Sequence, residues 1–247
     1  MVPFLYLVYA RTGASLSAQT VVAHATSLGV AFVTSTVGSW RYARAGAIAW
    51  GAALAYAVPG ILSAFAAARL LTTVEEGPLV RAGFGLFLLV SGWDMARRAR
   101  KPSDDTPGVP HPHSWAWLVF FGLLGGALSA LLGIGGGLIA VPVLMYVGKF
   151  PVRAVAPTAL AAVCLTTLAG GLGYATAGPG PALSSFMTGF LDLRMAAPLA
   201  LGAALTVPLG VRVNRQASAP TLSWSFAILL AGIGLSLLWQ WVSSLPR

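Results

Sequence analysis

The residues of this sequence best suited to chemistry are four glycines and a proline within one apolar stretch. They are Gly133, Gly135, Gly136, Gly137 and Pro142. Glycine lets a ligand approach the backbone closely, and free N–H groups at a helix N-terminus attract an anion. Close helix packing is the alternative, because small residues let membrane helices approach one another. Leu138 stands where a dinucleotide-binding fingerprint needs glycine, and no Walker lysine follows.

Hydroxyl side chains occur in two apolar segments that flank this stretch at a distance. They are Thr26, Ser27, Thr34, Thr158, Thr166 and Thr167. Hydroxyl donors are what an oxyanion needs once it leaves water. Membrane serines and threonines also bond back to their own helix or join two helices, and this alternative stays open. We take Thr26, Ser27 and Thr158 as candidates for anion binding.

His24 is a titratable side chain inside a predicted membrane span. It is a candidate for carrying a coupling proton or pairing with the anion, with a neutral, backbone-bonded histidine as the alternative. His111 and His113 flank a proline, and without Cys, Asp or Glu at ligand spacing they make a poor metal site. We therefore expect no metal, no cofactor and no catalytic residue.

The elements that must position these residues are membrane helices. A chain of 247 residues that is 57% hydrophobic and 9% charged is too apolar for one soluble core. Its 15 Lys and Arg lie in short gaps between apolar runs, so they indicate topology and lipid contact rather than nucleic-acid binding. Seven runs are long enough to cross a bilayer, at 17–40, 45–71, 79–96, 115–148, 154–177, 193–213 and 222–243. We predict an all-α membrane protein, a polytopic helical bundle.

The two halves of the chain repeat each other weakly. VPFLY at 2–6 matches VPVLMY at 141–146, and Thr26 matches Thr158 at an offset of 132 that other threonines share. Duplicated halves are a common transporter plan. We therefore divide the chain into an N-terminal repeat at 1–100 that is incomplete at its start, a polar cytoplasmic linker at 101–114 and a C-terminal repeat at 115–247.

The distribution of Lys and Arg indicates that the two repeats are inverted. If run 115–148 crosses the membrane once, 8 cations lie inside and 7 outside. If the run enters and returns, the division is 10 to 5, the bias expected of cytoplasmic loops. The run also fits two helices of roughly 15 residues, each about half the membrane in depth, joined by the glycines. The sequence therefore predicts a re-entrant glycine-rich hairpin whose tip is buried or lines a cavity.

The motif GIGGGLIAVPVL at 133–144 is followed by PTALAAVCLTT at 157–167 and echoed by HATSLGVAFVTS at 24–35. This combination resembles the TauE/SafE family of sulfite and organosulfonate exporters, over nearly the whole chain. The resemblance implies a bacterial inner-membrane permease with two related halves that moves small sulfur-containing anions. The family carries the glycine motif in both halves, whereas the first half here begins at Met1, so we expect the true start to lie upstream.

We predict a transporter of sulfite, sulfonate or a related anion that exports its substrate by alternating access. Its partners are the anion and membrane lipid, and a homo-oligomer is left open. We expect no buried carboxylate, which argues against a sodium site. Two alternatives remain: a non-transporting membrane subunit or truncated paralogue that needs a partner, and, less favoured, an intramembrane enzyme using His24 and Cys164.

Overall fold

The protein is a bundle of long apolar helices. A computed structural model describes residues 5, 8–9, 15–73, 78–100, 113–180 and 185–243. This part of the chain contains helices α1 (Leu16–Arg44), α2 (Trp50–Leu71), α3 (Pro78–Ala99), α4 (His113–Leu132), α5 (Gly137–Tyr146), α6 (Val152–Ala175), α7 (Leu193–Gln216) and α8 (Ala219–Ser243). A two-stranded hairpin, β1 (Met187–Thr188) and β2 (Leu191–Asp192), precedes α7. Six of the described helices are long and apolar enough to cross a membrane, which confirms the predicted all-α membrane class.

The first three helices correspond to the last three, and the two sets run in opposite directions. Helix α1 is parallel to α7, since Gly29 faces Leu191 and Gly38 faces Val207. Helix α6 is likewise parallel to α2, since Thr158 lies at the start of α2 and Thr166 faces Gly60 near its middle. The α1–α7 pair therefore corresponds to the α6–α2 pair, with α1 matching α6 and α7 matching α2. The helices therefore have the arrangement expected of inverted repeats.

Glycines bring the helices of the bundle close together. Helices α3 and α8 cross where Gly85 and Gly234 face each other, so that a β-carbon on Gly85 would lie 3.1 Å from the Gly234 carbonyl oxygen. Helices α2 and α4 run side by side through Gly60, Gly122 and Gly126, with backbone against backbone. Small residues at such crossings allow the dense contact that holds membrane helices together.

The cations gather at one end of the bundle. Among the residues whose side chains the structure describes, they are Arg41, Arg44, Arg97, Arg100, Lys149, Arg153, Arg212 and Arg215, against Arg69 and Arg194 at the other end. The Tyr42 hydroxyl donates to Asn214 Oδ1 at 2.9 Å and joins the ends of α1 and α7. Arg100 lies over the Trp224 ring and joins the end of α3 to the start of α8. The positive-inside rule predicts that this cation-rich end faces the cytoplasm, and this orientation stays a prediction.

The run at 115–148 enters and returns, as the cation count predicts, but its two arms are unequal. Trp115 in α4 packs on Gly51 at the cation-rich start of α2, and α5 leads back to that same end, where α6 begins. Helix α4 has 20 residues and α5 has 10, so the expectation of two arms of about 15 is wrong. The arms differ in length because the glycines that permit the break lie about two-thirds of the way along the run. Hydropathy is uniform along the run and therefore does not show where the break falls.

The proposed domain boundaries stay a prediction. Of the predicted linker at 101–114, residues 101–112 lie outside the described part of the chain, and so does His111.

Candidate functional site

The break between α4 and α5 is built from glycines in a conformation that other residues avoid. Gly133, Gly135 and Gly136 have φ of 62°, 83° and 70°, in the left-handed region. The resulting turn, residues 133–136, ends with Gly136 as the N-cap of α5. The glycine-rich stretch that the sequence singles out is therefore a sharp reversal of the chain inside the bundle.

This turn leaves the N-terminus of α5 near the middle of the bundle. Gly137, the first residue of α5, lies beside Val163, which is halfway along α6. The N–H groups of Ile139 and Ala140 both donate to the Gly136 carbonyl, at 3.2 and 3.0 Å. The N–H of Leu138 has no such backbone partner among the described residues. A helix start at this depth concentrates positive partial charge inside the bundle.

Pro142 is buried within α5. Its ring has no N–H, so the carbonyl of Leu138 one turn earlier receives no helical hydrogen bond from it. Pro142 itself does not line the neighbouring cavity, although Leu138 and Val141 do.

A cavity of about 380 Å³ adjoins the turn on the cation-rich side. Gly135 and Gly137 form one part of its wall, residues of α1 and α6 form two other parts, and Phe226 belongs to a part formed by α8. All 15 lining residues are uncharged, and their polar side chains are Thr34 and Ser35. A charged ligand in this cavity must therefore be held by dipoles and hydroxyls.

The hydroxyls nearest the turn donate to carbonyl groups of their own helices. Thr34 donates to the carbonyls of Val30 and Ala31, both at 3.0 Å, and Ser35 donates to Ala31 at 2.6 Å. Thr166 and Thr167 both donate to the Val163 carbonyl, at 3.2 and 2.6 Å. This is the back-bonding alternative that the sequence left open. In this conformation the hydrogens of these hydroxyls point away from the cavity.

Thr26 and Thr158 lie away from the turn and have matching roles in the two repeats. Thr26 Oγ1 of α1 accepts a hydrogen bond of 3.2 Å from the backbone N–H of Asp192, the N-cap residue of α7. Thr158 Oγ1 of α6 accepts one of 3.2 Å from the N–H of Ala49, the N-cap residue of α2. Both threonines are fully buried. Each therefore anchors the start of a helix in the opposite repeat, which favours a structural role over contact with the anion.

His24 and Ser27 are on the side of α1 that approaches the turn. His24 is buried, and a β-carbon on Gly133 would lie 2.8 Å from its Cδ2. Ser27 is buried too, and helical periodicity places it on the same side as Ala31, which faces Gly135. The structure thus brings His24, Ser27 and the glycines together. Cys164 lies 3.2 Å from Thr36, and Thr36 is 12 residues, about 18 Å, along α1 from His24. His24 and Cys164 are therefore too far apart to act together as the base and nucleophile of an enzyme.

The expectation of no buried carboxylate is wrong. Asp192 is 2% exposed; its Oδ1 accepts the N–H of Arg194 at 3.0 Å, and its Oδ2 accepts the Tyr9 hydroxyl at 3.1 Å. The carboxylate caps α7, the role in which aspartate is strongly favoured. In sequence Asp192 looks like a loop residue beside Arg194. No group of three or more His, Cys, Asp or Glu that could hold a metal occurs within the described residues.

These features define a class of protein: a multi-pass helical membrane protein of inverted repeats, with a helix N-terminus exposed to an internal cavity. The chain belongs to the sulfite exporter TauE/SafE family, whose pattern it matches over residues 1–237. It is 25% identical over 215 residues to the probable membrane transporter protein MJ0441 of Methanocaldococcus jannaschii, covering 86% of this chain and 77% of the relative. Family and relatives together support a membrane transporter.

A second relative is the probable membrane transporter protein YunE of Bacillus subtilis. It is 24% identical over 175 residues, which cover 65% of this chain and 60% of the relative. No solved structure gives a significant match to the chain.

Proposed function

We propose that this protein carries a small sulfur oxyanion, sulfite or a sulfonate, out of the cell across a bacterial inner membrane. The observation that carries the proposal is the N-terminus of α5, which opens beside an uncharged cavity near the middle of the bundle. The family description, a sulfite exporter, supplies the substrate class.

The anion would be held by backbone N–H groups at the start of α5, with the helix dipole behind them. Glycine at positions 135 to 137 lets an oxygen atom reach these groups without meeting a side chain. The apolar cavity wall would strengthen each such hydrogen bond, because the local dielectric is low. A site of dipoles without a fixed cation also releases its ligand more readily, as a carrier requires.

Alternating access would follow from movement of the two repeats around this site. A potential of 100 mV, negative inside, drives each negative charge outwards with about 2.3 kcal/mol, so export needs no coupling ion. His24, next to Gly133, is the candidate for any proton coupling.

The test is sulfite transport by purified protein in liposomes, with Gly137→Ala as the decisive variant. Gly137 does not have a positive φ, and a β-carbon there meets only Val163, at 3.7 Å, so the variant is expected to fold. Its methyl group occupies the cavity wall at the helix N-terminus. Loss of one charge-assisted hydrogen bond predicts a KM about tenfold higher. Gly202→Ala, at a helical glycine of α7 with open space around it, is the matched control.

Two results would contradict the proposal. Wild-type protein that moves no sulfite and no sulfonate down an imposed gradient would exclude the substrate class. A Gly137→Ala variant with the KM of wild type would exclude the α5 N-terminus as the binding site. Separately, His24→Ala transport at the wild-type rate from about pH 5 to pH 8 would exclude a proton role for His24.

A further inference from the structure

Ser129 is a buried hydroxyl next to the turn that the sequence analysis does not single out. It lies in the last turn of α4 and is 2% exposed. Within the described part of the chain its Oγ has no hydrogen-bond partner. Buried polar atoms are nearly always paired, so an unpaired one next to this turn points to a group that completes it.

The Ser129 hydroxyl is next to the N-cap of α5. A β-carbon on Gly136 would lie 3.3 Å from Ser129 Oγ and 3.7 Å from Thr166 Oγ1. Thr166 already donates its hydrogen to a carbonyl of its own helix. Ser129 is therefore a hydroxyl at this helix start whose hydrogen is available for another acceptor.

A second unpaired hydroxyl lies one helical turn away. Tyr56 of α2 is fully buried, its hydroxyl reaches the backbone of Gly125, and it too lacks a partner within the described residues. Gly125 and Ser129 are four residues apart on α4, which corresponds to about 6 Å between side-chain positions. One water molecule between the two hydroxyls would orient Ser129 without occupying its hydrogen.

We propose that the Ser129 hydroxyl donates a hydrogen bond to an oxygen of the anion bound at the N-terminus of α5. This inference rests on the proposed function and adds a side-chain donor to it. Sulfite and sulfonates present three oxygens in a pyramid, so backbone N–H groups can bind one face while Ser129 binds the remaining oxygen. A carboxylate has only two oxygens, and when both accept from the backbone N–H groups neither is left for Ser129. Ser129 thus selects three-oxygen anions over carboxylates.

The test compares binding of sulfite, methanesulfonate and acetate to detergent-purified protein, read as anion-dependent increases in Tm. Ser129→Ala is expected to raise the Kd for sulfite and methanesulfonate about tenfold and leave that for acetate unchanged. Ser129→Cys keeps the side-chain size with a weaker donor, so its Kd should be intermediate. Ser39→Ala is the matched control, since Ser39 is another buried, unpaired serine and lies eight residues, about 12 Å, along α1 from Ala31, which faces Gly135.

The possible results separate the two proposals. Absence of any sulfite effect on wild-type Tm would refute the proposed function and this inference with it. Sulfite binding that is equal in wild type, Ser129→Ala and Ser129→Cys would refute only the inference and leave Ser129 as a ligand of structural water. A parallel loss of acetate binding in Ser129→Ala would refute the selectivity for three oxygens.

Discussion

Thr26 and Thr158 each accept a hydrogen bond from the start of a helix in the opposite repeat, and these two bonds give the sharpest test of the inverted architecture. Replacing either threonine by valine keeps the shape of the side chain and removes its oxygen. In Thr26→Val the N–H of Asp192, at a residue that is 2% exposed, loses its acceptor inside the protein. In Thr158→Val the N–H of Ala49, a half-buried residue, loses its acceptor in the same way. An unsatisfied buried donor costs about 1–3 kcal/mol.

We therefore expect Thr26→Val to lower the free energy of unfolding by about 2 kcal/mol and Thr158→Val by about 1 kcal/mol. The two sites are far apart along antiparallel helices, so the double variant should lose about 3 kcal/mol, the sum of both. The assay is thermal or denaturant unfolding of the purified protein in detergent, with transport kinetics measured on the same preparations. Thr206→Val is the control, because Thr206 is exposed and bonds within its own helix.

Two results would contradict this reasoning. If stability is unchanged while the KM for sulfite rises about tenfold, the threonines bind the anion and do not anchor helices. A double variant that is no less stable than either single variant would show that the two bonds do not act at separate places.

Three further predictions concern backbone conformation, helix packing and a buried hydrogen bond, and all are checked by the same unfolding measurement. Gly136→Ala should cost about 1–2 kcal/mol, because φ of 70° is strained for alanine; no loss would mean that the turn does not have this conformation. Gly122→Ala should cost about 3 kcal/mol, since its methyl would meet the Tyr56 carbonyl, whereas Gly171→Ala, in open space, should be tolerated. Tyr174→Phe should cost about 1 kcal/mol, because its hydroxyl donates to the Ala130 carbonyl at 2.9 Å.

Sequence reasoning located the features that depend on local chemistry. The break at Gly133–Gly137 follows from the conformational freedom of glycine, and the return of the chain follows from the positions of Lys149 and Arg153 at the cation-rich end. The correspondence of Thr26 with Thr158 was also visible as a constant offset. Each of these signals is carried by the residues themselves, without knowledge of their neighbours.

What sequence reasoning missed depends on which side of a helix meets which neighbour. The offset identifies Thr26 and Thr158 as equivalent, but their partners are backbone groups 166 and 109 residues away. Asp192 is buried and accepts a hydrogen bond from Tyr9, 183 residues earlier, although in sequence it lies only two residues from Arg194. Ser129 stands in a run of Ala, Gly and Leu and carries no signal of its own. Its spacing from Gly125 matters only once Tyr56 is known to lie between α2 and α4.

The two hydrogen bonds of Thr26 and Thr158 between the repeats also form in a set order during synthesis. The N–H of Ala49 at the start of α2 emerges from the ribosome 109 residues before its acceptor, Thr158. The start of α7, in contrast, finds Thr26 already in the membrane. The start of α2 therefore gains its anchor only after the second half has been made, whereas the start of α7 can form its anchor as it is made. Each half, expressed as a separate chain, would lack the helix anchor that the other half supplies.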